Sequence, residues 1–114
     1  MAQYLLQVAY TPEAWASMVE NPQDRQELVR PAVESLGGRF LHSWMCFGDY
    51  DLVGIIDMPS NVDAAAFSIG VAAKGAIKAF KTTALLTMDE SVQAMRRAQQ
   101  VAYTPPQRAA AGIR

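Results

Sequence analysis

The stretch Phe47-Gly48-Asp49-Tyr50-Asp51-Leu52-Val53 places a Gly-Asp pair between two runs that each read as a strand. Gly-Asp belongs to the small set of dipeptides whose backbone freedom closes a tight hairpin, so Arg39 to Phe47 and Tyr50 to Met58 are predicted to pair antiparallel. With Gly48 and Asp49 as the two loop residues, opposed positions sum to a constant. Cys46 then faces Asp51, Trp44 faces Val53, His42 faces Ile55 and Phe40 faces Asp57, all on one side. Met45 with Leu52, Ser43 with Gly54 and Leu41 with Ile56 fill the other side. The second set is small or apolar and is expected to lie under helices. The first mixes aromatic, imidazole, thiol and carboxylate groups with apolar neighbours, and is the face where a site would form.

Outward from the hairpin, Gln3 to Tyr10 reads as a further strand. Tyr4, Leu6 and Val8 are expected under the helices, with Leu5, Gln7 and Ala9 on the open face. Thr11-Pro12 opens a helix, Thr as N-cap and Pro at the first helical position, where only an orphan N–H is lost. Asn21-Pro22-Gln23-Asp24 restarts it, and Val29, Ala32, Val33 and Leu36 then recur on one apolar face. Pro31 inside that pattern is expected to bend the helix, and Gly37-Gly38 to end it. Ser60-Asn61-Val62-Asp63 resembles a capping box with Asp in place of Glu, opening a helix of small residues to about Lys74. Gly75 stops that helix, and Ile77 to Leu86 reads as a fourth strand. Phe80, Ala84 and Leu86 are expected inward, Lys81, Thr83 and Leu85 outward. Thr87-Met88-Asp89-Glu90 is a complete capping box for a last helix to about Gln100. The order β-α-β-β-α-β plus a terminal helix defines an α+β, ferredoxin-like antiparallel sheet with helices on one face. Residues 1–102 form that domain, and 103–114, with Pro105-Pro106 and no apolar period, an arm or disordered tail.

The composition of the 114 residues is that of an ordinary globular chain, with half the residues apolar and a net charge of −1. That charge is unevenly placed. Residues 1–73 carry nine acidic and three basic groups, whereas 74–114 carry two acidic and seven basic groups. The bases are spread out and lack interleaved aromatics, so the basic end is expected to meet the acidic one, within the fold or across subunits, rather than nucleic acid. The lone Cys46 rules out an internal disulfide. The amino-terminal residues show no leader pattern, and no run approaches the ~20 apolar residues of a membrane span, so the expected location is cytoplasmic.

The open face would carry Leu5, Phe40, Trp44, Val53, Ile55 and Leu85, a patch too apolar to remain in water on a monomer. A second copy packed face to face is the simplest cover.

Leu36-Gly37-Gly38-Arg39 leading into a strand, followed by Phe47-Gly48-Asp49-Tyr50-Asp51-Leu52-Val53, resembles the GYD domain family, named for residues that here are Gly48, Tyr50 and Asp51. The resemblance spans roughly residues 3–100. It implies a ferredoxin-like fold of the dimeric α/β-barrel type but no particular activity. The wider superfamily that it resembles includes cofactor-free monooxygenases, heme-degrading enzymes, lactone isomerases and ligand-sensing domains.

Three functions fit these residues. In the first, a homo-oligomer binds a small apolar or aromatic molecule between its sheets, held by Phe40, His42, Trp44, Val53 and Ile55 and bordered by Gln7, Asp57 and Lys81. In the second, His42 or Asp51 serves as the base of a cofactor-independent monooxygenase or isomerase, with Trp44 as the substrate's platform. In the third, the face is closed and dry and the protein is a structural assembly module. Each role has a structural counterpart. His42 would equally be an interface or a satisfied core residue, and Trp44 would pack at an interface. Asp51 would accept backbone N–H groups beside the turn, Tyr50 would pack across from Phe47, and Lys81 would hold an anionic group or pair with Asp57 or with a partner subunit. No cofactor is called for. His42 and Cys46 stand about 13 Å apart on one strand, too far for a single metal ion. The phosphate-cradling and serine-nucleophile motifs are absent from the sequence.

Overall fold

The computed structural model describes residues 1–107; the end of the expected tail, 108–114, lies outside the described residues. Eight elements follow one another: β1 (Ala2–Tyr10), α1 (Pro12–Glu20), α2 (Arg25–Ser35), β2 (Arg39–Met45), β3 (Leu52–Met58), α3 (Asn61–Ala72), β4 (Ile77–Leu85) and α4 (Met88–Ala98). The strands form one sheet in the order β2-β3-β1-β4, and every neighbouring pair is antiparallel. This is the ferredoxin-like arrangement that the strand and cap pattern anticipates.

The caps form largely where the sequence places them. Thr11 accepts the Ala14 N–H, Asp24 the N–H groups of Gln26 and Glu27, and Ser60 that of Asp63. Thr87 and Glu90 make the reciprocal capping box. The shorter Asp63 bonds the Ser60 hydroxyl instead. Helix α2 runs through Pro31 and ends in a Schellman motif. Gly37 N–H reaches the Glu34 carbonyl and Gly38 N–H that of Val33, with Gly37 at φ 83°. Gly38 is also sterically required: a Cβ there would stand 2.5 Å from both the Asp57 carbonyl oxygen and the Met58 sulfur. This tight corner holds the start of β2 against the end of β3.

Tyr4 and Leu6 of β1 and Ile56 and Met58 of β3 build the core with Val33 of α2 and Ala64 and Phe67 of α3. Phe80 of β4 stands edge-on to Phe67 at 6.3 Å. Ala32, expected on the buried stripe of α2, is exposed.

Two expectations at the hairpin are corrected. The register Trp44–Val53 and His42–Ile55 holds, but it shifts between Phe40 and His42, so Phe40 pairs with Ile56 and not with Asp57. This irregularity turns Phe40 from the open face into the core, where it is 5 % exposed, and leaves Leu41 outside. The physical cause is visible at Gly54. That glycine has no side chain to fill its place in the inner layer, and the Phe40 ring lies 3.6 Å from where its Cβ would be. Burying the phenyl ring is worth about 1.5–3 kcal/mol, offset in part by leaving Leu41 exposed. Arg30 Nη1 donates to the Phe40 carbonyl at 3.0 Å.

The second correction concerns the turn. The loop is wider than Gly48-Asp49 alone: the strands end at Met45 and Leu52, and the last cross-strand bond runs from Cys46 N–H to the Asp51 carbonyl at 2.8 Å. The Cys46 thiol donates to the Tyr50 carbonyl. Phe47 is 89 % exposed and does not pack across from Tyr50.

Candidate functional site

On the face of the sheet opposite α2 and α3, the registers align side chains in rows that cross all four strands. One row is Lys81, Gln7, Val53 and Trp44; the next is Thr83, Leu5, Ile55 and His42; the third is Leu85, Gln3, Asp57 and Arg39. Of the residues expected to share this face, the structure therefore brings together Gln7, His42, Trp44, Val53, Ile55, Asp57 and Lys81, and removes Phe40. Leu5, Val53, Ile55 and Leu85 are half-buried, and Trp44 is half exposed. The result is an apolar middle with an amide and an ammonium at one end and an ion pair at the other.

That ion pair corrects a further expectation. Asp57, buried, accepts from Arg39 Nη2 at 2.7 Å, while Lys81 lies two rows away beside Gln7. The partner of Asp57 is thus Arg39, not Lys81, and the same bond engages the carboxylate that stands diagonal to His42.

His42 and Trp44 stand edge-to-face with ring centroids 4.4 Å apart. They belong to the edge strand β2 and therefore also border what lies beyond it. There, a cleft of about 600 Å³ opens between the α1–α2 corner and the base of the hairpin. Trp15, Met18 and Val19 of α1 form one wall, Trp44 and Met45 of β2 the other, with Asp24, Arg25 and Asp51 as its charged groups. Gln26 secures the edge strand beside it, its side-chain oxygen accepting from both the N–H (2.9 Å) and the hydroxyl (2.8 Å) of Ser43.

Asp51 is turned toward α1. Its Oδ2 accepts the Tyr10 backbone N–H at 2.9 Å and the Trp15 indole N–H at 3.2 Å, and its own N–H donates to the Val8 carbonyl at 2.8 Å. The Tyr10 ring stands edge-on to Trp15 at 5.6 Å. Burial pushes the Tyr10 phenol above its ordinary value; hydrogen bonding and charge from Arg25 partly offset this, and the Asp51 charge adds to it. Arg25 donates from Nη1 to Gln23 Oε1 at 2.6 Å, and its buried Nε has no partner among the described residues.

Tyr10, Trp15 and Arg25 do not stand out in the sequence as site residues. Thr11-Pro12 marks where α1 begins, but nothing in the spacing links Trp15 to a carboxylate 36 residues later. Among the described residues, no three His, Cys, Asp or Glu side chains gather as a metal site would require, and no helix is long and apolar enough to cross a membrane.

Fold and site together define a small α+β domain of ferredoxin-like topology with one sheet face uncovered by its own helices and a glycine–tyrosine–aspartate loop that anchors the first strand and helix. The GYD domain family model matches residues 4–95, and the chain belongs to that family. No curated protein and no solved structure matches it.

Proposed function

We propose that this GYD domain works as a homodimer of the dimeric α/β-barrel type, in which two copies pack their open sheet faces together and hold a small apolar or aromatic molecule between them. The observation that carries this reading is the pair of central rows, Lys81–Gln7–Val53–Trp44 and Thr83–Leu5–Ile55–His42. They present contiguous apolar surface, bordered by polar groups, with both core helices packed on the opposite face. Exposed apolar surface of this kind costs roughly 25 cal/mol per Å², which association recovers. Two twisted sheets stacked face to face diverge toward their corners, where a ligand finds room. The Trp44 indole offers it a flat platform, and His42, Gln7 and Lys81 supply donors at its edge.

Native mass spectrometry of the purified chain, with titration of an anilinonaphthalene sulfonate probe, tests this directly. A dimer is expected, with probe binding, read by its fluorescence on direct excitation, weakened in Trp44→Ala while Trp15 remains. Val53→Lys, which places a charge in the middle of the face, should yield folded monomer. A monomeric wild-type chain would overturn the proposal. A dimer that binds neither probe nor any copurifying small molecule would leave the face as an assembly surface alone.

A further inference from the structure

Helix α4 has everything needed to form, yet among the described residues it buries no side chain against the rest of the chain. Its capping box is complete, Asp89 and Glu90 occupy the first turn, and Arg96 and Arg97 occupy the last, each favourable to the helix dipole. Met88, Val92 and Met95 fall at i, i+4 and i+7 and form an apolar stripe. Yet α4 has no buried residue, and Met88 and Met95 are 83 % and 63 % exposed. An isolated helix of eleven residues is marginal in water, and its stability comes from burying such a stripe.

The cleft at the α1–α2 corner has the opposite character. It is a groove with apolar walls, Met18 and Val19 on one side and Trp44 and Met45 on the other, and none of the described elements lies in it. It opens within the acidic part of the molecule: residues 1–73 carry a net charge of −6 (three basic, nine acidic), and 74–114 carry +5 (seven basic, two acidic). Among the described residues, neither Arg96 nor Arg97 pairs with a carboxylate. Within one chain, helix and groove are held apart. The helix follows β4 after only Leu86 and Thr87, and β4 ends beside Gln3, whereas the cleft borders Tyr10, seven residues or about 23 Å further along β1 and at the opposite edge of the sheet.

We propose that α4 is an exchanged arm: in the dimer, its Met88–Val92–Met95 stripe lies in the α1–α2 cleft of a second copy of this chain. The occupant is a second copy because the helix and the groove are complementary in charge, and an apolar stripe meets apolar walls. An amphipathic helix seats its i, i+4, i+7 anchors in an apolar groove, and its basic last turn meets the acidic N-terminal part of the partner. The arm closes over the Trp44 edge of the intersheet space, so the inference rests on the face-to-face dimer proposed above and adds to it a reciprocal contact with its own residues.

Hydrogen exchange of the full-length chain, read by mass spectrometry over peptides covering residues 88–98 at concentrations above and below the dimer dissociation constant, tests the arm. Protection of these amides is expected to rise at least tenfold on dimerisation. Met95→Glu on the helix and Val19→Lys on the groove, both exposed positions, should each abolish that rise. Mixing the two variants should restore it, since the intact helix of one meets the intact groove of the other, and the two introduced charges, opposite in sign, meet in the reciprocal contact. A wild-type dimer whose α4 exchanges as fast as in the monomer would overturn the arm while leaving the dimer standing. Variants that leave the protection unchanged would do the same. A chain that stays monomeric would overturn both.

Discussion

Asp51 Oδ2 accepts the Tyr10 backbone N–H and the Trp15 indole N–H together, at 2.9 and 3.2 Å. One oxygen thereby ties the hairpin loop to the last residue of β1 and to the second turn of α1. The Tyr10 N–H is otherwise hard to satisfy, because the β1–β4 ladder slips between Ala9 and Tyr10 and β3 begins only at Leu52. The aspartate of the glycine–tyrosine–aspartate loop therefore completes the sheet where the strand pairing fails. Gly48, at φ 128°, allows the loop the backbone conformation that delivers it.

Replacing Asp51 by Ala should strand two part-buried donors and cost about 1–3 kcal/mol in urea unfolding. Asp51→Asn keeps an acceptor in place and should cost less. If instead the two variants unfold like wild type but lose ligand binding, the carboxylate acts on the ligand and the anchoring role is wrong.

Tyr10 gives the fold an alkaline limit. Its phenol titrates above the ordinary 10.0 because burial opposes the phenolate. The raised folded-state value means that the native chain keeps this proton when the unfolded chain has lost it. The associated stability is complete below pH 10 and is lost as pH rises from there through the folded-state value. Tyr10→Phe has no proton to lose. Comparing urea midpoints on either side of pH 10, wild type should fall more steeply than Tyr10→Phe. Parallel curves would show that Tyr10 titrates equally in both states.

Much of this architecture is legible in the sequence because it rests on local chemistry. Thr11-Pro12, Asp24, Ser60 and Thr87 each announce a helix start by satisfying N–H groups within three residues of themselves. The alternation Tyr4, Leu6, Val8 announces which side of β1 is inside, and all three are buried. What escapes a linear reading depends on contacts distant in the chain. The rule of two puts Phe40 beside His42 and Trp44, and only the empty place at Gly54 on the neighbouring strand draws its ring the other way. The Asp51–Trp15 bond and the Arg39–Asp57 pair likewise join residues 36 and 18 positions apart that no spacing rule connects. The candidate face survives because it depends on the part of the register that the hairpin does set, His42 to Met45 against Leu52 to Ile55.

That division makes Phe40 and Trp44 separable by experiment, although a strict alternation would place them on one face. Phe40 is a core residue over Gly54, so Phe40→Ala should leave a cavity and lose about 3–5 kcal/mol of stability. The loss should appear at any protein concentration, because the residue is buried within one chain. Trp44 is half exposed on the edge strand, and its truncation removes little that the monomer buries. Trp44→Ala should therefore leave the unfolding of dilute chain within about 1 kcal/mol of wild type, while weakening association and probe binding at higher concentration. Urea unfolding of both variants at low and high protein concentration separates the two effects. Equal losses for both at low concentration would mean that Trp44 is buried within the monomer, and the open face would then have to be redrawn without its aromatic platform.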